Sequence, residues 1–426
     1  MERVSVEIWQ RILLKVMETN DSPIFATSCT PYTFLAFIDL HDWHDGSPQS
    51  YDKYMLQCRD LALVCRAWKE FVLFTSHRWL QLHERIPMFK LDSTTTAHTN
   101  GGVGPIEKLY MSTLYSDVTP ILSWASHILK RPASQSPLRA YTLRFHLNRC
   151  TMPTPRDTLF DDFLFGTTTT QDLECTNTNT NTNTTLHLLS IAIVTSQPDI
   201  HTPISFSQIS RTFPGLRSLF LYGVEVTPQQ TLALAHLEVL SVFRPSETLL
   251  ESMETWDMPA LRHVSLGEFR TMSLTDVVDR FLGRWAHQIE SFFCRRLDRF
   301  LSSILASPVL DLPSGFWAQF PVLRLLGLDR EPLQSKEWSG WSVVPPPTHP
   351  CRYLVCCVHS EKLKANEVEH QAELEVEHIR TKWTWHDGVR LVAGDAGSKQ
   401  YYVVKNIRDD PSIVKMERTV GVLPEL

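Results

Sequence analysis

At 426 residues, with 43% hydrophobic and 21% charged side chains, the chain has the make-up of a globular protein but exceeds the size at which one compact core stops growing. Several domains or an elongated repeat array are therefore expected. With 41 basic against 47 acidic residues the net charge is −6 and no Lys/Arg block stands out, which argues against a nucleic-acid partner.

The N-terminal stretch "MERVSVEIWQRILLKV" is amphipathic and carries acids, so it lacks the uncharged core of a signal peptide. No apolar run approaches the roughly 18 to 20 residues of a membrane span. A cytoplasmic or nuclear protein without membrane contact is expected. The 9 cysteines have no framework spacing and read as reduced, mostly buried thiols. Ser5 is placed to cap a first helix, with Glu7 near its positive end and Ile8, Trp9, Ile12, Leu13, Val16 and Met17 at helical spacing. From about 18 to 50 the pattern breaks at Pro23, Pro31, Gly46 and Pro48 around the apolar "FLAFIDLHDW", an insertion between helices.

Helical periodicity returns from about Lys53 to Phe74, including "DLALVCRAWKEFV" (60–72). On one continuous helix Leu61, Val64, Cys65, Trp68 and Val72 share a stripe, with Phe71 at its edge, while Leu63 and Ala67 project near the polar side. Apolar side chains on both flanks suggest two contacts rather than one. "RWLQL" (78–82) reads as a third apolar anchor of this head, which spans about 1–90.

Between about 105 and 360 a different pattern recurs, of the form L-x-x-L-x-L. Its clearest copies start at Leu216, Leu237, Leu261 and Leu323, and weaker ones at Ile106, Leu138, Leu186, Ile289 and Cys351. Three share a fuller heading, "FPGLRSLFL", "MPALRHVSL" and "FPVLRLLGL", with proline two positions before the first leucine. Successive spacings of 32, 48, 30, 21, 24, 28, 34 and 28 residues bracket a leucine-rich-repeat period of roughly 20 to 29. The widest gap holds the Thr/Asn tract at about 167–185, whose side chains cannot build a core. Beyond "VVPPPTHPC" the segment 361–426 reads as an amphipathic helix followed by a β-meander with Asp-Gly and Asp-Ala-Gly turns, capping the array.

The head, "VSVEIWQRIL" with "LALVCRAWKEFV" and "RWLQL", resembles the F-box, and its long insertion and trailing irregular leucine-rich repeats resemble those of fungal F-box-like proteins. The resemblance implies an α+β to α/β repeat fold: a small N-terminal helical unit, then an irregular solenoid. It implies a non-enzymatic substrate-recognition subunit of a cullin-RING ubiquitin ligase. The head would bind the Skp-type adaptor through Val4, Ser5, Glu7, Ile8, Leu63, Val64, Cys65 and Trp68, and the repeats would bind a protein substrate. The alternative is a repeat scaffold for protein interactions without a ligase role. Val4-Ser5 stands where most of the family has Leu-Pro, and Val224, Pro245, Phe269 and Glu331 stand where regular repeats carry Asn or Cys.

No phosphate loop, zincin, or hydrolase-elbow motif is present, and no cofactor is implied. "HDWHD" (41–45) reads as a solvated loop rather than a metal site. Cys351, Cys356, Cys357 and His359 read as structural, because strand alternation sends Cys356 and Cys357 to opposite faces. His370 and His378 lie among glutamates and read as an exposed helix face. With the leucines pointing inward, Ser218, Phe220 and Tyr222, then Val239, Ser241 and Phe243, then His263 and Ser265 form adjacent columns on the other sheet face. Exposed there, the aromatics would anchor the substrate.

Overall fold

The structure of the protein is a computed structural model that describes residues 6–19, 29–31, 34, 49–76, 79–83, 108–113, 140–146, 188–194, 202–204, 209–210, 213–226, 232–267, 274–295, 315–330, 344–358, 389–395, 400–406 and 410–415. The chain divides into two compact units. One comprises Met1–Thr27 with Leu40–Leu237, the other Ser28–Asp39 with Glu238–Leu426.

In the first unit, helix α1 (Val6–Thr19) is followed by α2 (Gln49–Ala62) and α3 (Arg66–Ser76). The single helix expected over 53–74 is thus two. The amide of Leu63 donates to the carbonyls of both Arg59 and Asp60, each at 3.2 Å, and Val64 donates to Leu61. This tightening to i→i−3 bonds ends α2, and the Cys65 carbonyl opens α3 by accepting from Lys69 at 2.9 Å. Apolar spacing runs through the break without a visible gap, so periodicity alone does not reveal it. Among the described side chains of the helices Leu13, Cys58 and Val72 are buried, and the Trp9 and Trp68 rings lie 5.9 Å apart.

Four residues of "RWLQL", the third apolar anchor expected of the head, lie in strand β1 (Trp79–His83), parallel to β2 (Lys108–Thr113). Strands β3 (Ala140–His146), β4 (Leu188–Val194) and β6 (Ser218–Tyr222) join in parallel in chain order. Two short strands, β5 (Thr202–Ile204) and β7 (Val224–Val226), make a separate parallel pair.

The second unit repeats the rule. Strands β8 (Val239–Phe243), β9 (His263–Gly267), β10 (Ser291–Arg295), β11 (Leu325–Arg330), β12 (Tyr353–Val358) and β13 (Arg390–Asp395) are parallel neighbours in chain order. Strands β14 (Gln400–Asn406) and β15 (Asp410–Lys415) then continue the sheet antiparallel. Each copy of the L-x-x-L-x-L pattern begins two residues before a strand: Ile106 before β2, Leu216 before β6, Leu261 before β9, Cys351 before β12. Register follows the motif spacing. Val239 faces His263, His263 faces Ser291, Ser291 faces Leu325 and Leu325 faces Tyr353, offsets of 24, 28, 34 and 28 residues.

The shared proline has a local cause. The amides of Leu216, Leu261 and Leu323 donate to the carbonyls of Phe213, Met258 and Phe320 at 3.0 to 3.1 Å, closing turns in which Pro214, Pro259 and Pro321 hold the second position. The preset φ of proline suits that position, and its missing N–H costs nothing there. Phe213, Met258 and Phe320 are themselves buried, so each turn is pinned to the core before its strand begins. Helix α4 (Glu247–Glu254) returns the chain between β8 and β9. Its N-cap Ser246 accepts a hydrogen bond from the Leu249 amide at 3.1 Å.

Candidate interaction surfaces

On α1, Ile8 and Ile12 lie about 40° apart around the axis, and Trp9 and Leu13 occupy the adjoining sector. Leu13 is buried, whereas Ile8, Ile12 and also Trp9, whose ring meets Trp68, are exposed. The apolar stripe is therefore wider than the head's own packing uses. Leu56 is exposed on α2, and in the turn after it Leu63 keeps 78% and Val64 60% of their surface. Glu7 and Cys65 are exposed, and Trp68 is half-buried. Of the residues expected to meet an adaptor, Val4 and Ser5 lie outside the described residues. The single stripe expected on one continuous helix is corrected: Val64 and Cys65 leave it because the chain turns at 63–65.

The expected exposed columns on the sheet are corrected more strongly. Ser218, Phe220, Val239, Ser241, Phe243, His263 and Ser265 are all buried, and Phe220 is fully so. Tyr222 lies in β6, with its side chain outside the described residues. All five positions of β8 and all five of β9 are inaccessible. A parallel sheet covered on both faces has this signature, whereas the column reading assumed one wet face.

The cover over His263 is identifiable. Nε2 of His263 lies 3.1 Å from the Cys29 carbonyl, and Nδ1 lies 3.0 Å from Ser291 Oγ. A carbonyl only accepts, so Nε2 carries the proton and Nδ1 accepts from the serine hydroxyl. Phe34, fully buried, sets its ring 5.5 Å from the imidazole, and Pro31 is buried beside it in sequence. Burial pushes the histidine pKa down to about 4, against the opposing pull of Glu290 and the Cys29 carbonyl. Along the same face, Phe293 lies over Gly327 of the next strand so closely that any Cβ there would enter the ring. Ser241 and Ser265, register partners in the next layer, have buried hydroxyls without a hydrogen-bond partner among the described residues.

Cys351 is buried, its thiol donates to the Tyr353 carbonyl, and burial pushes its pKa up to about 12, the state of an inert core thiol. Cys356 and Cys357 lie in β12, and His359 lies outside the described residues. His349, which sequence reasoning passed over, is buried against Trp317, donates from Nε2 to the Phe320 carbonyl at 2.9 Å and accepts the Cys351 amide at Nδ1. Burial lowers its pKa. The segments at 41–45, 167–185 and 361–380, with His370 and His378, also fall outside the described residues.

A charged row was likewise missed. The second position of the motif holds Arg217, Glu238, Arg262, Glu290, Arg324 and Arg352. Arg262 and Glu290 pair at 2.6 Å, and Arg324 approaches the same carboxylate at 3.9 Å. From Arg262 onward the backbone amide of each residue in the row donates to the carbonyl of the preceding one. The signal was visible as a charge after the first apolar residue in copy after copy.

Among the described residues no cluster of three or more His, Cys, Asp or Glu could hold a metal ion, and no helix is long and apolar enough to cross a membrane. Comparison of the chain with family models, curated proteins and solved structures returns no match.

Proposed function

We propose that the chain is a substrate-recognition subunit of a cullin-RING ubiquitin ligase, whose F-box-like head docks on a Skp-type adaptor and whose leucine-rich repeats hold the protein to be modified. The observation that carries the reading is the surplus of apolar surface on the head: Leu63 and Val64 in the turn between α2 and α3, with Ile8 and Ile12 on α1. Fully burying a side chain of this kind is worth roughly 1.5 to 3 kcal/mol, so four of them can support a stable complex after the costs of association. Parallel strands added in chain order, with an i→i−3 turn before each of β6, β8, β9, β10 and β11, support the repeat reading. The chain would contribute proximity, not chemistry, by raising the local concentration of substrate lysines at the conjugating enzyme.

Co-purification with a Skp-type adaptor tests this directly. The wild-type chain is expected to bind, and Leu63→Asp with Val64→Asp to weaken binding about a hundredfold or more, because two charges would be desolvated at the contact. Both positions are solvent-facing, so the double variant should keep its fold by circular dichroism. A folded double variant that binds as wild type does, or a wild-type chain that binds no such adaptor, rejects the reading.

A further inference from the structure

We propose that Arg324 and Arg352, the residues just before β11 and β12, together bind a carboxylate from an extended acidic segment of a partner protein. The inference names a substrate class for the repeats and rests on the proposed function for what that partner is. The binding itself is tested without an adaptor, so the two can fail separately.

The residues that precede β8 to β12 follow the register of those strands. Glu238, Arg262, Glu290, Arg324 and Arg352 therefore stand in one row, with neighbouring members about 5 Å apart along the sheet. Charge alternates over the first four, and then Arg352 stands where the alternation calls for an acid. Glu290 shows what such a place holds. Its carboxylate lies between two arginines, Oε1 at 2.6 Å from Nη1 of Arg262 and Oε2 at 3.9 Å from Nε of Arg324. Arg352 has no carboxylate partner among the described residues. Like charges on neighbouring strands repel, and an anion seated between them relieves the repulsion.

Both guanidiniums are open to such an anion. Arg324 keeps 54% of its side-chain surface, and its contact with Glu290 is a long one. Arg352 is half-buried and donates from Nη1 to the carbonyls of His349 and Cys351, at 2.8 and 3.3 Å. Those bonds hold the group in place, while Nε and Nη2 have no partner among the described residues. A guanidinium already fixed by backbone loses little freedom when it binds. The chain as a whole carries a charge of −6 and repels an acidic peptide in general, so attraction must be local. A single exposed ion pair contributes little, which selects a run of acids, any of which can take the place between the two arginines.

A fluorescein-labelled peptide of alternating glutamate and threonine, titrated by anisotropy into the full-length chain at low salt, tests the proposal. Arg324→Gln and Arg352→Gln should each weaken binding about tenfold. Arg280→Gln removes an equal charge from an exposed ion pair with Glu247, outside the row, and should leave binding unchanged. Glu290→Gln releases Arg262 to join the site and should tighten binding about threefold. Should Arg352→Gln fail to fold through loss of its carbonyl contacts, Arg324→Gln and Glu290→Gln decide. Absence of binding by the wild-type chain, wild-type affinity in Arg324→Gln, or an equal loss in Arg280→Gln overturns the proposal. So does a single-stranded oligonucleotide that displaces the peptide at lower concentration than unlabelled peptide does, because the row would then be a phosphate site.

Discussion

In the turn between α2 and α3, Leu63 and Val64 lie largely in solvent, whereas β8 and β9 bury all ten of their residues, two serines and a histidine among them. The head leaves apolar side chains uncovered, and the sheet covers polar ones. In the head, three short helices offer little area to close over one another, so the apolar stripe of α1 outruns its neighbours. In the sheet, parallel strands need cover on both faces, and the cost of burying Ser241, Ser265 and His263 is accepted with it. An apolar residue out of pattern therefore points to a partner in one region, and a polar residue out of pattern points to an internal contact in the other.

The contrast breaks most easily by truncation. Phe220→Ala should lower stability by about 3 to 5 kcal/mol, while Leu63→Ala should stay within about 0.5 kcal/mol of wild type. Urea unfolding of the two variants measures both. Equal midpoints would mean that burial in β6 and exposure in the turn are not the difference that matters.

A smaller effect follows from His263, whose pKa is about 4 when folded against 6.5 for the free group. As pH falls below 6.5 the unfolded chain takes up this proton first. The stability conferred by the neutral imidazole is thus complete above pH 6.5, declines between 6.5 and 4, and is gone below that window. Over the window the loss is about 3 kcal/mol. His263→Gln, compared with wild type by urea midpoints at several pH values, should remove that part of the slope; parallel slopes would refute the assignment.

Least costly is Gly327→Ala. A methyl group there enters the Phe293 ring, and overpacking of this kind costs about 1 to 3 kcal/mol. Phe293→Leu in the same chain should restore part of the loss, read as coupling in a double-mutant cycle. Strict additivity would place the ring elsewhere.

Much of the sheet was legible from residues alone. The spacing from Leu237 to Leu261 and on to Ile289 reappears as the register of Val239, His263 and Ser291, because the i→i−3 turn, the charged second position and the apolar fourth and sixth are all local features. The break at Leu63–Cys65 was not legible, since apolar residues keep helical spacing on both sides of it. Nor was the strand identity of "RWLQL", whose place depends on pairing with β2 rather than on its own five residues. Trp79 and Leu80 are adjacent apolar residues, so the segment lacks the strict alternation of a half-buried strand.

The amino-acid order by itself determined where the turns close and which residues begin each strand, because those choices are made by φ preferences and spacings within about ten neighbours. Which strand face is open was decided only in three dimensions. A carbonyl at Cys29 and a ring at Phe34 seal the imidazole of His263, and a contact made across 234 positions leaves no trace in any local pattern.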